Sequence, residues 1–130
     1  MKYIVAFMIF TFGTISAQTS TTMMIRMSEI EINPVYLQEY LTILKEESRA
    51  SVTNEQGVIS IFPMYQKEKP NQIRILEIYA SKEAYESHLT TKHFLHYKSS
   101  TLKMVTSLKL IDMNAIDIEE MHEIFRKINQ

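Results

Sequence analysis

The chain contains no cysteine and no tryptophan among its 130 residues, and its charge is close to balanced. The absence of cysteine excludes disulfide bonds, thiol catalysis and metal sites built on thiolates. Fourteen lysines and arginines against fifteen aspartates and glutamates give a formal net charge of −1. A nucleic-acid-binding surface needs a basic patch, and this composition does not indicate one. We therefore predict neither a nucleic-acid partner nor a disulfide-stabilised fold.

The first residues have the pattern of a secretory signal peptide. Lys2 precedes an apolar run, Tyr3–Phe12, which has the length of a signal-peptide core and is too short to span a bilayer. Gly13 breaks the run, and the small residue Ala17 suits the last position before cleavage. We predict a signal peptide over residues 1–17, export as a periplasmic or secreted protein, and no stable membrane anchor. The alternative interpretation is a buried N-terminal strand.

A single domain is predicted over residues 24–113, after a flexible lead-in at 18–23. Asn33 and Pro34 predict the start of its first helix, because asparagine is a good N-cap and proline suits the first helical position. Gly57 is predicted to end that helix with a positive φ. Apolar periodicity predicts the strands Met24–Ile32, Val58–Gln66, Ile73–Ala80 and Val105–Met113, and helices from Pro34 to about Thr53, over Lys82–Leu89, and from Thr90 or Thr91 to about Leu102. On the first helix, the charged residues predicted to face solvent are Lys45, Glu46 and Glu47.

The order βαββαβ predicts an α+β, ferredoxin-like fold, in which a four-stranded antiparallel sheet carries helices on one face. Apolar residues occupy both registers of several strands, so the face without helices should not meet water. The simplest cover is a second copy of the same sheet, and we predict a homodimer with its sheets face to face. Residues 114–130 add a helical extension, predicted as Asp117–Ile128 with Asp117 as its cap. Its apolar stripe packs on its own subunit or on the partner.

Polar, proton-exchanging side chains gather in the segment Ile73–Tyr97. It contains three of the four histidines, together with Tyr79, Tyr85 and Tyr97. The segment covers the third predicted strand and the helices that follow it. We therefore predict that it lines any reactive or ligand-binding pocket of the protein.

Four segments in this order carry a resemblance to a known family: Met24–Pro34, Gln56–Val58, Leu76–His88 and Thr91–Phe94. They resemble the antibiotic biosynthesis monooxygenase family, and within it the quinol monooxygenases, over about residues 24–113. The resemblance implies a dimeric α/β barrel built from ferredoxin-like halves. It also implies oxidation of a small hydroquinone or phenol by dioxygen, without metal or flavin. Other members of the superfamily isomerise or process small carbonyl compounds, or degrade haem.

Two positions bear on the haem-degrading branch of that superfamily. Its members carry a tryptophan where this chain has Tyr79, and a haem-ligating histidine where this chain has Lys98. His96 lies two residues from the second position, on a different helical face. The resemblance therefore implies a function other than haem degradation, and no cofactor is predicted.

His93 is the first candidate for the catalytic base. A phenol must lose a proton before it gives an electron to dioxygen, and an imidazole with a reference pKa of about 6.5 can accept that proton. His93 lies near a predicted helix start, where the helix dipole disfavours the imidazolium. His88 is the second candidate, as a base or as a group that orients the substrate oxygen. Glu77 is predicted to fix a histidine tautomer or to pair with Arg26 or Arg74, and each of these residues has a purely structural role as its alternative.

The predicted substrate-contacting residues are Tyr79, Tyr97, Tyr65 and His96, with the hydrophobic core as the alternative for the tyrosines. His93 and His96, three residues apart, could chelate a metal with His88 and a carboxylate such as Glu77 or Glu86. No known metal motif is present, however, and no metal site is predicted. Two other functions stay open. One is an exported dimer that binds a small hydrophobic ligand without catalysis, and the other is an isomerase or lyase of a small carbonyl compound.

Overall fold

A computed structural model describes residues 22–130 of the chain. The predicted signal peptide at 1–17 and most of the predicted lead-in at 18–23 lie outside these residues. The strands are β1 (Met24–Ile32), β2 (Val58–Tyr65), β3 (Gln72–Tyr79) and β4 (Val105–Met113). The α-helices are α1 (Leu37–Asn54), α2 (Lys82–His88), α3 (Lys92–Thr101) and α4 (Glu120–Ile128), and 3-10 turns occupy Pro34–Tyr36 and Leu102–Met104.

The four strands form one antiparallel sheet in the order β2-β3-β1-β4, which confirms the predicted ferredoxin-like fold. In β1, Ile30 lies opposite Ile73 of β3 and Leu108 of β4, so all three side chains point to one face. This face carries the helices. Pro63 lies in β2, an edge strand, where its missing N–H costs no ladder hydrogen bond.

The hydrophobic core lies between this face and the helices. Its buried members include Ile30, Ile32, Ile73, Ile75, Tyr40, Leu44, Tyr79 and Met104. Each buried aliphatic side chain contributes roughly 1.5–3 kcal/mol relative to an exposed one. α1 packs on β2 and α3, and α2 packs on β2 and β3. The helices are therefore concentrated over one half of the sheet, and on β4 the side chains of Leu108 and Leu110 stay about half exposed, at 47% and 50%.

Side-chain caps set where the helices begin. The Oδ1 of Asn33 accepts a hydrogen bond from the N–H of Val35 at 3.1 Å, as predicted, although the first turn is a 3-10 turn. The hydroxyl of Ser81 caps α2, and that of Thr91 caps α3. Because α2 ends at His88 and α3 is capped only three residues later, the junction between the two helices is tight.

The predicted positive φ at Gly57 is wrong, because no glycine of residues 22–130 has a positive φ. Glycine is needed there for space instead. A Cβ atom at Gly57 would lie 2.6 Å from the Cβ of Ala84 in α2, which is far inside van der Waals contact. The missing side chain lets α2 approach the chain between α1 and β2, where Glu55 lies.

The second face of the sheet carries exposed apolar side chains, among them Phe62 and Met113. The C-terminal helix begins at Glu120 rather than at the predicted Asp117, because the carboxylate of Asp117 accepts a hydrogen bond from the N–H of Glu119 and so caps the preceding turn. Most of the apolar stripe of α4 is exposed, including Phe125 and Ile128. Within residues 22–130, none of the helices combines the length and the apolar character that a membrane span requires.

Candidate functional site

A cavity of about 510 Å³ lies between the sheet and the helices α1, α2 and α3. Its walls are largely apolar and include Ile30, Leu44, Ile61, Ile75, Leu89, Phe94 and Val105. The lining residues Lys98, Leu102, Leu108 and Leu110 are exposed and mark its open side next to β4. Polar side chains are concentrated deeper in the cavity, where they include Glu47, Glu77, Tyr79 and His88. The arrangement suits a small, mostly apolar ligand that presents an oxygen atom to this polar end.

His88 is the most buried of these polar groups, with 2% of its surface exposed. Its Nδ1 lies 2.9 Å from Oε2 of Glu55. Its Nε2 lies 3.6 Å from Oε1 of Glu47, and both of these residues line the cavity. The ring is packed against Tyr79 and Phe94, with centroid distances of 5.5 and 4.9 Å. One ring nitrogen is therefore bound to Glu55, and the other lies on the side of the cavity wall.

Glu55 decides which nitrogen of His88 carries the proton. Burial acts to raise the pKa of Glu55, but hydrogen bonds from His88 and His93 outweigh it and lower that pKa below its ordinary value. The carboxyl group is therefore ionised near neutral pH and can only accept hydrogen bonds. It follows that Nδ1 of His88 donates to Glu55, and that Nε2 of neutral His88 has a free lone pair.

The structure places His93 behind His88 and not in the cavity lining. Its Nε2 lies 2.6 Å from the same Oε2 atom of Glu55, and 21% of its side chain is exposed. The bond to Glu77 that the sequence left open is not formed, because Glu55 takes that place. His93 and His88 are thus brought together by one carboxylate, with their ring centroids 6.2 Å apart.

Glu47 was missed in the sequence analysis, where it was predicted to face solvent. That prediction is wrong, because Glu47 is 6% exposed and its Oε1 accepts a hydrogen bond of 2.7 Å from Ser51. Burial raises the pKa of Glu47. The signal was present in the sequence: Tyr40, Leu44, Glu47 and Ser51 follow the spacing of one helical stripe, and the apolar members of that stripe face the core.

Glu77 lies in the cavity as a half-buried acid. Its Oε1 accepts a hydrogen bond of 3.0 Å from Ser28, and burial raises its pKa. Neither predicted ion pair is formed: Arg74 lies 3.8 Å from Glu29, and Arg26 is bonded to Asp112 and to the hydroxyl of Tyr85. Arg26 also lines the cavity, and its positive charge acts to lower the pKa of Glu77, against the effect of burial.

Of the four predicted substrate-contacting residues, two line the cavity and two lie outside it. Tyr79 and Tyr97 line the cavity, and the hydroxyl of Tyr97 lies 2.7 Å from that of Tyr40. Burial raises the pKa of Tyr97 to about 12, so its hydroxyl stays protonated and can donate. Tyr65 is 56% exposed and lines a separate groove beside α1. His96 is exposed and its Nδ1 lies 3.4 Å from the hydroxyl of Ser100.

Glu47, His88 and His93 could also hold a metal ion, because one donor atom from each lies within 4.8 Å of the others. Imidazole and carboxylate are ligand types that zinc accepts. This set differs from the one considered from the sequence, because Glu47 supplies the carboxylate instead of Glu77 or Glu86, and His96 is not part of it. Oε2 of Glu55, however, lies at hydrogen-bond distance from one nitrogen of each imidazole, so both histidines already have a hydrogen-bond partner in this carboxylate.

The half-buried acid Glu77 is expected to make the stability of the protein depend on pH. Its folded-state pKa is raised above the unfolded value of about 4.3, so the folded state holds this proton more tightly, and ionisation above the folded-state pKa costs stability. We expect Glu77→Gln to raise the free energy of unfolding by on the order of 1 kcal/mol at about pH 8 and to have little effect near about pH 4. Urea unfolding at the two pH values measures this difference. The exposed Glu86→Gln is the matched control, and an equal loss of stability at both pH values in Glu77→Gln would contradict the argument.

Comparisons with known proteins agree with this architecture. The sequence profile described as antibiotic biosynthesis monooxygenase matches residues 23–99. A crystal structure of a candidate antibiotic biosynthesis monooxygenase from Bacteroides thetaiotaomicron is 46% identical to this chain. The two superpose with a TM-score of 0.73, over 73% of this chain and 90% of that one.

More distant structures share the fold. A candidate monooxygenase from Lactobacillus acidophilus is 25% identical, with a TM-score of 0.69 over 71% of this chain and 44% of its own. A candidate antibiotic biosynthesis monooxygenase from Nitrosomonas europaea is 12% identical, with a TM-score of 0.69 over 74% of this chain and 92% of its own. None of the curated proteins matches the chain. The profile match over more than half of the sequence, together with the 46% identical structure, shows that the chain belongs to the antibiotic biosynthesis monooxygenase family.

Proposed function

We propose that the protein is a monooxygenase that oxidises a small hydroquinone or phenol with dioxygen, without a metal or flavin cofactor. One observation carries the proposal: the Nε2 side of His88 lies beside Glu47 at the wall of a largely apolar cavity, while Nδ1 is bound to Glu55. An imidazole held in this way is suited to accept a proton from a ligand hydroxyl. Membership of the monooxygenase family supports the reaction class.

The reaction begins with proton transfer. The O–H bond of the substrate breaks, its proton passes to Nε2 of His88, and the substrate becomes a phenolate. The phenolate gives one electron to dioxygen, and the resulting substrate radical and superoxide combine through a new C–O bond. Loss of the ring proton and cleavage of the O–O bond then form the quinone, and the departing oxygen leaves as water because it takes up the ring proton and the proton that His88 returns from Nε2. Each substrate molecule supplies all the electrons that its dioxygen takes up, so no external reductant is needed.

The geometry favours His88 over His93 as the base, because His88 lines the cavity and His93 does not. Imidazolium at His88 is stabilised by the Glu55 carboxylate at 2.9 Å. Glu77, with Ser28, and the hydroxyl of Tyr97 are placed to hold the oxygen atoms of the substrate. Tyr79 supports the His88 ring from the sheet.

Oxygen uptake by the purified protein tests the proposal. With a panel of hydroquinones and phenols we expect consumption of one dioxygen for each quinone formed, with one atom of labelled dioxygen in the product and the other in water. Dialysis against a chelator before the assay should leave the rate unchanged. Turnover of a small carbonyl compound under anaerobic conditions, with no oxygen uptake by any phenol, would instead indicate an isomerase or lyase.

Two further parts of the proposal concern the state of the protein. We propose a homodimer formed through the sheet face that lacks helices, supported by exposed apolar side chains on that face such as Phe62 and Met113. We also propose export to the periplasm or the medium, supported by the signal-peptide pattern of residues 1–17. Sequencing the N-terminus of the protein from its native cell tests the second part, since cleavage after Ala17 should leave Gln18 first.

A further inference from the structure

We propose that Glu55 and His93 are positioning residues that hold His88 with its proton on Nδ1, so that the lone pair of Nε2 is free on the side of the cavity. The catalytic consequence rests on the proposed function, whereas the tautomer itself does not. Neither Glu55 nor His93 lines the cavity, so neither touches the substrate. Both act through His88.

The geometry depends on a single oxygen atom. Oε2 of Glu55 lies 2.9 Å from Nδ1 of His88 and 2.6 Å from Nε2 of His93. An ionised carboxylate has no proton to donate, so both nitrogens must be donors. A second N–H on the same oxygen has two effects: it favours the ionised form of Glu55, and it fixes the position of the oxygen that His88 needs.

His93 matters because Glu55 alone is weakly constrained. Glu55 follows the last turn of α1 and keeps 13% of its side chain exposed, so water can compete for its carboxylate. His93 is fixed in the first turn of α3, where Thr91 caps the helix. The short hydrogen bond from His93 therefore anchors the same carboxylate oxygen that His88 contacts. The tight junction between α2 and α3 places the two imidazoles on this one group.

The other charged or titratable groups near His88 determine what each of its two neutral tautomers can do. Glu47 approaches from α1, and Glu77 and Tyr79 approach from β3. If the proton of neutral His88 were on Nε2, that nitrogen would donate towards Glu47 and could not accept a proton from a ligand. With the proton on Nδ1, Nε2 can accept it, and the nearby carboxylates stabilise the imidazolium that forms.

Nitrogen-15 NMR of the imidazole side chains tests the proposal without any substrate, because the shifts of the two ring nitrogens distinguish the two neutral tautomers. In the unaltered protein we expect His88 to be the Nδ1–H tautomer. We expect His93→Leu, which removes the second donor, to shift His88 towards the Nε2–H tautomer and to lower kcat by at least about 10-fold. His93→Gln, whose amide can still donate to Glu55, should restore the tautomer and most of the rate.

His96→Leu is the matched control, since His96 is an exposed histidine three residues further along α3, and it should change neither the tautomer nor the rate. An Nε2–H tautomer in the unaltered protein overturns the proposal, even if His93→Leu does not fold. An unchanged tautomer in a folded His93→Leu also overturns it. So does stoichiometric zinc, taken up by the unaltered protein from a zinc titration and lost in His93→Leu, because the cluster would then be a metal site. If the tautomer behaves as expected and no phenol is oxidised, the proposed function fails and the positioning role stands.

Discussion

Substitution of His88 by glutamine is expected to lower the turnover of a phenolic substrate by about 10²- to 10⁴-fold at neutral pH, which is the usual contribution of a general base. The glutamine amide can still donate to Glu55, so the carboxylate keeps a partner and the fold is retained. What is lost is the lone pair of Nε2, the atom that lies beside Glu47 at the cavity wall. The variant must therefore rely on substrate that has already ionised in solution.

That dependence gives the variant a distinct pH profile. A phenolic hydroxyl has a pKa of about 10, so the rate of His88→Gln should rise steadily as the pH approaches this value. The rate of the unaltered protein should be nearly flat over the same range. His96→Gln is the control, because His96 is exposed and lies outside the cavity lining, and its profile should match that of the unaltered protein. A folded His88→Gln that keeps the full rate would remove His88 from the mechanism.

Much of the fold was predictable because it is encoded by local patterns. β1 and β4 were predicted with their observed bounds, and β2 and β3 to within one residue at either end, because apolar alternation over eight or nine residues identifies a strand. Asn33 was predicted as a cap, and the helix that became α3 was predicted to start at Thr90 or Thr91, since a helix start depends only on the next few residues. The order of strands and helices, and with it the ferredoxin-like fold, followed from these local patterns.

The site was less predictable because it depends on contacts between distant residues. Glu55 lies 33 residues from His88 and 38 from His93, and no local pattern links them. In the sequence, Glu55 belongs to the polar stretch that ends a helix. It acquires a role only when α2 and α3 are packed against the end of α1. The choice between His88 and His93 as the cavity histidine depends on that same packing.

Gly57 shows how a correct residue can be given the wrong reason. A glycine after a helix usually provides a positive φ, and that local rule predicted one here. The real constraint is the 2.6 Å approach to Ala84, a residue 27 positions away in α2. The error at Glu47 is different. Its position in the core-facing stripe of α1 could be identified from the sequence, but its charge was taken to mean that it is exposed to solvent. Buried acids of this kind need a partner, which for Glu47 is Ser51.

Substitution of Phe62 by lysine is expected to dissociate the proposed homodimer. Phe62 is 59% exposed in the protomer and lies in β2 on the sheet face that lacks helices. In a symmetric dimer every substitution occurs twice, and each copy loses roughly 1.5–3 kcal/mol of burial by a large apolar side chain. The dissociation constant should therefore rise by at least about 100-fold, before the cost of burying two ammonium groups is added.

Sedimentation equilibrium of the unaltered protein and of Phe62→Lys measures the effect, and Tyr65→Lys provides a matched control. Tyr65 lies in the same strand with a similar exposure of 56%, but its register with Ile73 places it on the helix-bearing face. If removing any exposed aromatic side chain from β2 were enough to dissociate the dimer, both variants would dissociate it. If the subunits meet through the sheet face that lacks helices, only Phe62→Lys should do so. A dimer that survives Phe62→Lys, or one that is broken equally by Tyr65→Lys, would show that the subunits do not meet through this face.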